Sequence, residues 1–258
     1  MRQENMRLVS NRIIANDVYE LILEGEMVLE MSQPGQFVNI KVPKADLILR
    51  RPISISNIDH NRKQVTLVIR SSGDGTASIC GVKVGERLDI LGPLGHGFPV
   101  ESNGQNKSAL LIGGGIGIPP LLELAKQLSA KAVKVTIVLG FQTKEAAFYL
   151  EEFSSYGDLF VATDDGSIQT QGTVETVLNE KLKDRSFDLV YACGPKGLNR
   201  MVNARYKDHP NAYLSLEERM ACGIGACAAC VCQKADNAQE NLKVCDDGPV
   251  FKTNTVIV

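Results

Sequence analysis

Four cysteines near the carboxyl end have the residue type and spacing of metal ligands: Cys222, Cys227, Cys230 and Cys245. The first three follow the pattern C-x4-C-x2-C, and the fourth lies further along the chain, which is the spacing of plant-type [2Fe–2S] ligands. Such a cluster needs thiolates from several directions, so a short loop supplies three and a separate strand closes the far side. Gly223 and Gly225 suit this loop because glycine permits unusual backbone angles and close approach of amides to sulfur. The pattern therefore predicts a carrier of single electrons.

Two other uses of the cysteines stay open on the residues alone. Structural zinc usually takes paired C-x2-4-C knuckles, and only one such pair is clear. Disulfides are possible, but the total of seven cysteines is odd, and Cys80, Cys193 and Cys232 lie in apolar or glycine-rich surroundings. Cys232 is ambiguous because it follows Cys230 by two positions, although the plant-type spacing favours Cys230.

The composition is that of an ordinary globular protein. The chain has 258 residues, 44% hydrophobic residues and a net charge of −2, so nothing indicates binding to nucleic acid or an anionic membrane. The polar N-terminus lacks a signal-peptide core, and no apolar run approaches the roughly 20 residues of a membrane helix. An iron–sulfur site with additional free thiols predicts a reducing cytoplasm. The three histidines are scattered, which gives a histidine metal site or a Ser-His-Asp triad little to build on.

Three segments must position these residues. Short apolar and β-branched runs separated by turn signals predict an antiparallel barrel or sandwich over residues 1–102. A polar linker at residues 101–107 marks a boundary. Strands and helices then alternate over residues 108–216, including a helix over 144–156, which predicts a parallel sheet with helices on both faces. Residues 217–258 form a small cysteine-rich domain. The predicted fold class is therefore α+β and multidomain.

A glycine-rich loop at residues 113–120 joins the first strand of the second segment to its helix, where a phosphate would meet backbone N–H groups. It departs from G-x-G-x-x-G because Pro120 replaces the third glycine. A tight turn without a ligand would also need these glycines. Cys193, before Gly194 and Pro195, ends a later strand and would line the same crevice, or would be a buried thiol before a turn.

The first segment contains two candidate anion sites. In the strand RRPISIS, Arg51 could clamp a phosphate through a bidentate contact and Ser54 could bond to a planar cofactor. An edge strand with solvated arginines is the alternative. The turn that contains Gly75 and Thr76 is a second possible cradle, or an ordinary turn with a helix cap.

Together these motifs resemble the ferredoxin–NADP reductase superfamily with an appended iron–sulfur domain. Within it the chain is most similar to the electron-transfer subunits of two-subunit, NAD-dependent dihydroorotate dehydrogenases. The resemblance covers essentially the whole chain. It is carried by RRPISIS, GDGT, LGPLG, GGGIGIPP, CGP, LEERMACGIGACAACVC and VCDDGPVF.

The resemblance implies bound FAD, a [2Fe–2S] cluster and NAD as the electron acceptor. It implies FAD contacts at Arg51, Pro52, Ile53, Ser54, Val68, Ile69, Arg70, Gly75 and Thr76, and NAD contacts at Gly115, Gly117, Pro120 and Cys193. Many members of the superfamily have an aromatic residue where this chain has Ile53, so that stacking is lost. No residue has a clear role in choosing NAD over NADP, although Asp164, Asp165 and Glu145 are candidates.

The resemblance also implies a relay. A partner subunit would oxidise dihydroorotate on its own FMN, and electrons would pass singly through the cluster to FAD and leave as hydride to NAD+. Two copies of each subunit would form a heterotetramer, with no catalytic acid–base residue on this chain. One alternative is the small subunit of an NADPH–ferredoxin oxidoreductase, or sulfide dehydrogenase, where Asp commonly takes the place of Cys222. A zinc-binding adaptor is an alternative of another class.

Overall fold

A computed structural model describes residues 1–100 and 106–258, so most of the predicted linker lies outside the described residues. The elements of the first segment are β1 (Arg2–Ala15), β2 (Val18–Glu24), β3 (Phe37–Ile40), β4 (Arg51–Asp59), β5 (Gln64–Arg70), α1 (Asp74–Cys80) and β6 (Arg87–Leu94). The strands form a closed antiparallel barrel in the order β1-β2-β5-β4-β3-β6. The prediction of a small antiparallel β domain is confirmed.

Alternation along the strands explains the barrel. In β6, buried and more exposed residues alternate, so Leu88 and Ile90 point inward. They join Leu21, Leu67 and Ile55 from neighbouring strands in one apolar interior. Closure leaves no free edge in this sheet.

The second segment is an α/β layer whose strands are mostly parallel. Its elements are β7 (Ser108–Gly114), α2 (Pro119–Ala130), β8 (Lys134–Phe141), α3 (Leu150–Ser154), β9 (Asp158–Thr163), β10 (Thr170–Gln171), α4 (Val174–Glu180), β11 (Leu189–Cys193), α5 (Lys196–Arg205) and β12 (Ala212–Ser215). The strands run in the order β10-β9-β8-β7-β11-β12. The α/β segment begins with β7 in the middle of the sheet, and its later strands are added on both sides of β7. A crevice therefore opens between the carboxyl ends of β7 and β11.

Helices cover both faces of this sheet, as predicted. On one face Leu121, Leu124 and Leu128 of α2 pack into the core, and on the other Val177 of α4 and Val202 of α5 do so. Each helix therefore buries one apolar stripe against the strands.

The predicted helix over residues 144–156 is wrong in its middle. A single 3-10 turn covers residues 144–146, and α3 begins only at Leu150. Tyr149 has a left-handed backbone with φ 62, which separates the two pieces, and its side chain is buried. The tertiary contact of this tyrosine therefore outweighs the helical propensity of the segment.

The cysteine-rich tail contributes β13 (Val231–Gln233), β14 (Asn241–Lys243) and β15 (Val250–Lys252). The first two strands form an antiparallel hairpin, whereas β15 pairs antiparallel with β12 at the edge of the large sheet. The division into 1–102, 108–216 and 217–258 stays a prediction, and the tail and the α/β layer share a sheet. No helix among the described residues is long and apolar enough to cross a membrane.

Two buried carboxylates join the barrel to the α/β layer. Glu123 of α2 is 3% exposed and accepts hydrogen bonds from the Ile58 backbone N–H (3.0 Å) and from Lys126 Nζ (3.1 Å). Glu20 of β2 accepts from the Tyr149 hydroxyl (2.5 Å) and from Arg12 Nε (2.6 Å). We call these contacts the barrel–nucleotide interface. Every hydrogen-bonding group named here has a protein partner, so the two domains are held together without a ligand.

Candidate functional site

The four predicted cluster ligands lie around one loop and its neighbouring strands. Gly223 and Gly225 have left-handed φ values of 69 and 78, which turn the backbone N–H groups of the loop toward sulfur. Cys222 Sγ accepts from the N–H groups of Ile224 (3.5 Å) and Cys227 (3.4 Å). Backbone amides directed at thiolates are what a ligated iron–sulfur cluster requires, because they stabilise negative sulfur.

The pKa values of the ligand thiols differ. Burial raises the pKa of Cys222, but the hydrogen bonds from Ile224 and Cys227 outweigh it and lower the pKa to about 7. Burial, followed by the neighbouring Cys230 thiol, raises the pKa of Cys245 to about 12, although the Gly225 N–H donates to its sulfur at 3.2 Å. Only the thiolate binds iron, so ligation at Cys245 must be coupled to release of its proton.

The ligand thiols form two pairs. Cys222 interacts with Cys227, and Cys245 interacts with Cys230 and, more weakly, with Cys222. A two-iron cluster distributes its thiolates over two metals, whereas structural zinc gathers four ligands around one ion. The donor set therefore fits a [2Fe–2S] cluster.

Cys232 stands apart from these pairs. It lies on β13, and its thiol donates to the Leu242 carbonyl at 3.5 Å. Burial raises the pKa of Cys232 to about 11. Its predicted role as a thiol that binds no metal stays a prediction.

A cavity of about 390 Å³ lies against the barrel. Seven of the nine predicted FAD contacts line it: Pro52, Ile53, Ser54, Val68, Ile69, Arg70 and Thr76. The other two, Arg51 and Gly75, contact each other, since a Cβ at residue 75 would lie 2.5 Å from Arg51 Nη2. The bare backbone of Gly75 beside a guanidinium forms a cradle that a side chain would fill and that suits a phosphate. These residues fit FAD, and their individual contacts stay predictions.

Sequence reasoning missed part of the cavity wall. Phe37 of β3, which pairs directly with Ser54, brings an aromatic ring to the cavity beside Ile53. The other missed residues come from the end of β5 and from segments further along the chain: Ser72, Ile116, Pro119, Ser215, Leu216, Glu217, Glu218, Met220 and Pro249. Of these, only Ser72 is adjacent in sequence to the GDGT turn, so only its place in the wall could be expected from that motif. The others are brought there by strand pairing and by packing of the domains.

A second cavity, of about 460 Å³, lies at the carboxyl ends of the parallel strands. Gly115, with φ 52, lines it, but Gly117, Pro120 and Cys193 do not. Gly117 packs against the Gly194 backbone, Pro120 is buried in α2, and burial raises the pKa of the Cys193 thiol. These three residues therefore do not line the cavity, and their predicted NAD contacts stay predictions.

The wall also contains residues that sequence reasoning missed. They come from the ends of several strands and from the starts of helices: Gly114, Gly140, Phe141, Gln142, Ala146, Gly172, Thr173, Val174, Glu175, Pro195, Gly197, Leu198 and Met201. Of the three acidic candidates for cofactor choice, only Asp164 lines the cavity. Asp165 instead accepts from its own loop, from Ser167 Oγ at 2.6 Å.

The two cavities and the cysteine loop are neighbours. Arg70, at the end of β5, lines both cavities, so they adjoin. On the other side, the wall of the smaller cavity includes Leu216, Glu217, Glu218 and Met220, which lead directly into Cys222. The cavity beside the barrel therefore lies between the nucleotide crevice and the cysteine loop.

Comparison with known proteins assigns a family to each segment. Residues 5–98 match the oxidoreductase FAD-binding domain, and residues 111–204 match the oxidoreductase NAD-binding domain. Residues 217–257 match the iron–sulfur cluster binding domain of dihydroorotate dehydrogenase B. The chain is 51% identical to the dihydroorotate dehydrogenase B (NAD(+)) electron transfer subunit of Enterococcus faecalis, over 100% of this chain and 99% of that protein. The same subunit of Geobacillus kaustophilus is 51% identical over 99% of each.

The chain belongs to the family of dihydroorotate dehydrogenase B electron transfer subunits. The resemblance predicted from the motifs is thereby confirmed. The family models also confirm the predicted cofactors, because FAD-binding, NAD-binding and cluster-binding domains account for most of this electron transfer subunit.

Solved structures share the architecture of the electron transfer subunit. An NADH-dependent reduced ferredoxin–NADP oxidoreductase, described for flavin-based electron bifurcation, superposes with a TM-score of 0.87 and 28% identity, over 98% of this chain and 90% of that chain. A cytochrome P450 reductase from Amycolatopsis has a TM-score of 0.70 and 21% identity, covering 81% and 66%, and shares the fold alone. The predicted barrel, α/β layer and iron–sulfur segment are confirmed as an arrangement of the ferredoxin–NADP reductase type.

Proposed function

We propose that this chain is the NAD-reducing, electron-transfer subunit of a dihydroorotate dehydrogenase that supplies orotate for pyrimidine nucleotide synthesis. The observation that carries the proposal is the composition of the smaller cavity. Its wall comes from the barrel, from the α/β layer and from the segment leading into the cysteine loop. A flavin there would have the nicotinamide crevice on one side and the cluster on the other.

The order of the sites suits the chemistry. When bound, the cluster carries single electrons, FAD accepts them and gives up a hydride, and NAD+ receives that hydride. The protein residues position these groups. Arg51 and Gly75 would hold phosphate, Ser54 and Thr76 would orient the flavin, and the four paired cysteines would hold the cluster.

Oxidation of dihydroorotate needs a partner. The family name identifies these chains as subunits, and we propose that the catalytic subunit contains FMN and carries the dihydroorotate site. We expect two copies of each subunit in a cytoplasmic heterotetramer, where a reducing environment keeps the seven cysteines from forming disulfides. The cysteine loop is the expected contact because Ile224 is 42% exposed and small residues let a second flavin approach the cluster.

Reconstitution tests the assignment. Purified alone, the chain should contain FAD, iron and labile sulfide, and should pass electrons from NADH to artificial acceptors. With a catalytic subunit that contains FMN it should reduce NAD+ at the expense of dihydroorotate. Reduction of NAD+ by dihydroorotate with this chain alone would contradict the proposed division of labour. Extraction of FMN, or zinc in place of iron, would contradict the cofactor assignment.

A second candidate function has one observation in its favour. The structural likeness to the bifurcating ferredoxin–NADP oxidoreductase covers 98% of this chain at 28% identity. The full-length identity of 51% to dihydroorotate dehydrogenase subunits is higher, and Cys222 stands where, as the family resemblance implies, the other group commonly has aspartate. Complex formation only with a ferredoxin-coupled flavoprotein would favour this second function.

A further inference from the structure

Asn39 is a buried amide that lacks a hydrogen-bond partner. It lies on β3, it is 1% exposed, and neither Nδ2 nor Oδ1 has a partner within the part of the chain that the structure describes. Burying an unpaired amide is costly, and most such groups in proteins are satisfied. Asn39 therefore points to a partner that the protein acquires with a ligand.

The amide of Asn39 faces the cysteine loop. A Cβ added at Gly223 would overlap Asn39 Nδ2, and the Oδ1 atom lies further from that position, at 3.7 Å. Gly223 immediately follows Cys222, and its left-handed φ of 69 brings the bare backbone against the strand. The amide nitrogen is thus the group that the barrel presents to the loop beside the first ligand.

Strand pairing also links Asn39 to the flavin cavity. Asn39 pairs directly with Pro52 of β4, and directly opposed residues on antiparallel strands project from the same face. Pro52 lines the cavity that fits FAD. Asn39 therefore lies where the flavin cavity and the cysteine loop meet.

Lys243 and three backbone amides at the loop already have protein partners. Lys243 Nζ donates to the Gly225 carbonyl at 2.6 Å. The loop amides described above donate to Cys222 and Cys245. Asn39 remains an unused donor aimed at this loop.

We propose that Asn39 is a positioning residue of the iron–sulfur centre, whose amide donates a hydrogen bond to sulfur on the Cys222 side and raises the midpoint potential of the bound cluster. The inference rests on the proposed function, since the loop must hold a cluster. A donor to sulfur stabilises the reduced cluster, which carries the additional negative charge. A barrel strand that shapes the flavin cavity would thereby also tune the centre that exchanges electrons with the flavin.

Isosteric substitutions test the role of the amide. Asn39→Leu removes the donor at similar volume, and Asn39→Asp replaces the amide nitrogen with a negative oxygen. An anaerobic redox titration of the purified protein with its FAD and cluster, followed by electron paramagnetic resonance, should show a lower midpoint potential in Asn39→Leu and a still lower one in Asn39→Asp. Ser56→Ala is the matched control, because Ser56 is fully buried on β4 but faces Tyr149, and it should leave the potential unchanged.

The outcomes separate the inference from the function. A full cluster with the wild-type potential in Asn39→Leu would overturn the inference and leave the proposed function intact. Wild-type protein without iron and labile sulfide would overturn the function. If neither Asn39 variant retains a cluster, labelling the asparagine side chains of the wild-type protein with ¹⁵N decides. A nitrogen coupling to the reduced cluster that changes with the isotope supports the donor role, and its absence overturns it.

Discussion

The barrel makes two interfaces of opposite character. At the barrel–nucleotide interface, the buried Glu123 and Glu20 each accept hydrogen bonds from named protein groups. At the barrel–cluster interface, where Asn39 contacts Gly223, both atoms of the Asn39 amide are unpaired, and the nearby cysteines are free thiols. The two carboxylates of the first interface are therefore satisfied by protein groups, whereas the second interface leaves a buried amide that a ligand can satisfy.

This difference separates structural from functional polar groups. A buried carboxylate with several donors contributes to stability and orientation, because its desolvation is offset. A buried amide without a partner costs stability unless a ligand satisfies it. We therefore expect substitutions at the first interface to change the stability of the protein, and substitutions at the second to change cofactor content and redox properties.

The largest expected effect is loss of the iron–sulfur cluster beside the barrel–cluster interface. Cys227→Ser should abolish the cluster, because loss of one thiolate leaves one iron without its pair of protein ligands. FAD should largely remain, since its cavity is lined by other residues. Iron and labile-sulfide analysis with flavin absorbance measures both.

Cys232→Ser is the control for this variant and should keep the cluster, since the Cys232 thiol bonds to Leu242. A paramagnetic signal that vanishes in Cys232→Ser but survives in Cys230→Ser would show that Cys232 is the third ligand.

The next effect concerns the flavin cradle. Arg51→Ala should weaken FAD binding by roughly 10- to 150-fold, since a charge-assisted contact contributes about 1.5–3 kcal/mol. Fluorescence titration of the flavin-free protein measures this dissociation constant. Arg62→Ala is the matched control because the Arg62 side chain is 75% exposed and pairs with Asp59. Equal dissociation constants for Arg51→Ala and Arg62→Ala would support the alternative interpretation, in which Arg51 is a solvated arginine on an edge strand.

A smaller effect is expected at the barrel–nucleotide interface. Glu123→Leu should lower the free energy of unfolding by about 1–3 kcal/mol, because the Ile58 N–H loses its acceptor in a buried position. The cluster potential should not change, and thermal unfolding and redox titration test the two expectations. Glu180→Leu, on an exposed helix end, provides the control and should leave stability nearly unchanged. A shifted cluster potential in Glu123→Leu would mean that the two interfaces are not separate.

The smallest effect concerns Tyr149. Tyr149→Phe should cost about 1 kcal/mol, since Glu20 keeps Arg12 as a partner. Burial and then Glu20 raise the pKa of Tyr149. The unfolded chain ionises this tyrosine at about pH 10 while the folded chain keeps it neutral, so this contribution to stability falls as the pH rises above about 10. The fall should be smaller in Tyr149→Phe, and identical pH profiles in denaturant unfolding would contradict it.

Two sites could be predicted from the sequence because each is encoded by a contiguous motif. The cysteine spacing indicates the cluster loop, since three ligands must come from a few neighbouring residues. The RRPISIS strand and the GDGT turn indicate one wall of the flavin cavity, because alternate residues of a strand share a face. Alternation and periodicity along the chain likewise predict the barrel and the parallel sheet.

Only the tertiary structure determined what joins these motifs. Phe37 reaches the flavin cavity through strand pairing, β15 joins the sheet of the preceding segment, and Tyr149 interrupts a predicted helix to meet Glu20. The contact of Asn39 with Gly223 also joins residues far apart in the chain. Local patterns contain the propensities of strands, helices and ligand loops, but the hydrogen bonds and packing between distant segments depend on register and domain orientation, which no single stretch of sequence encodes.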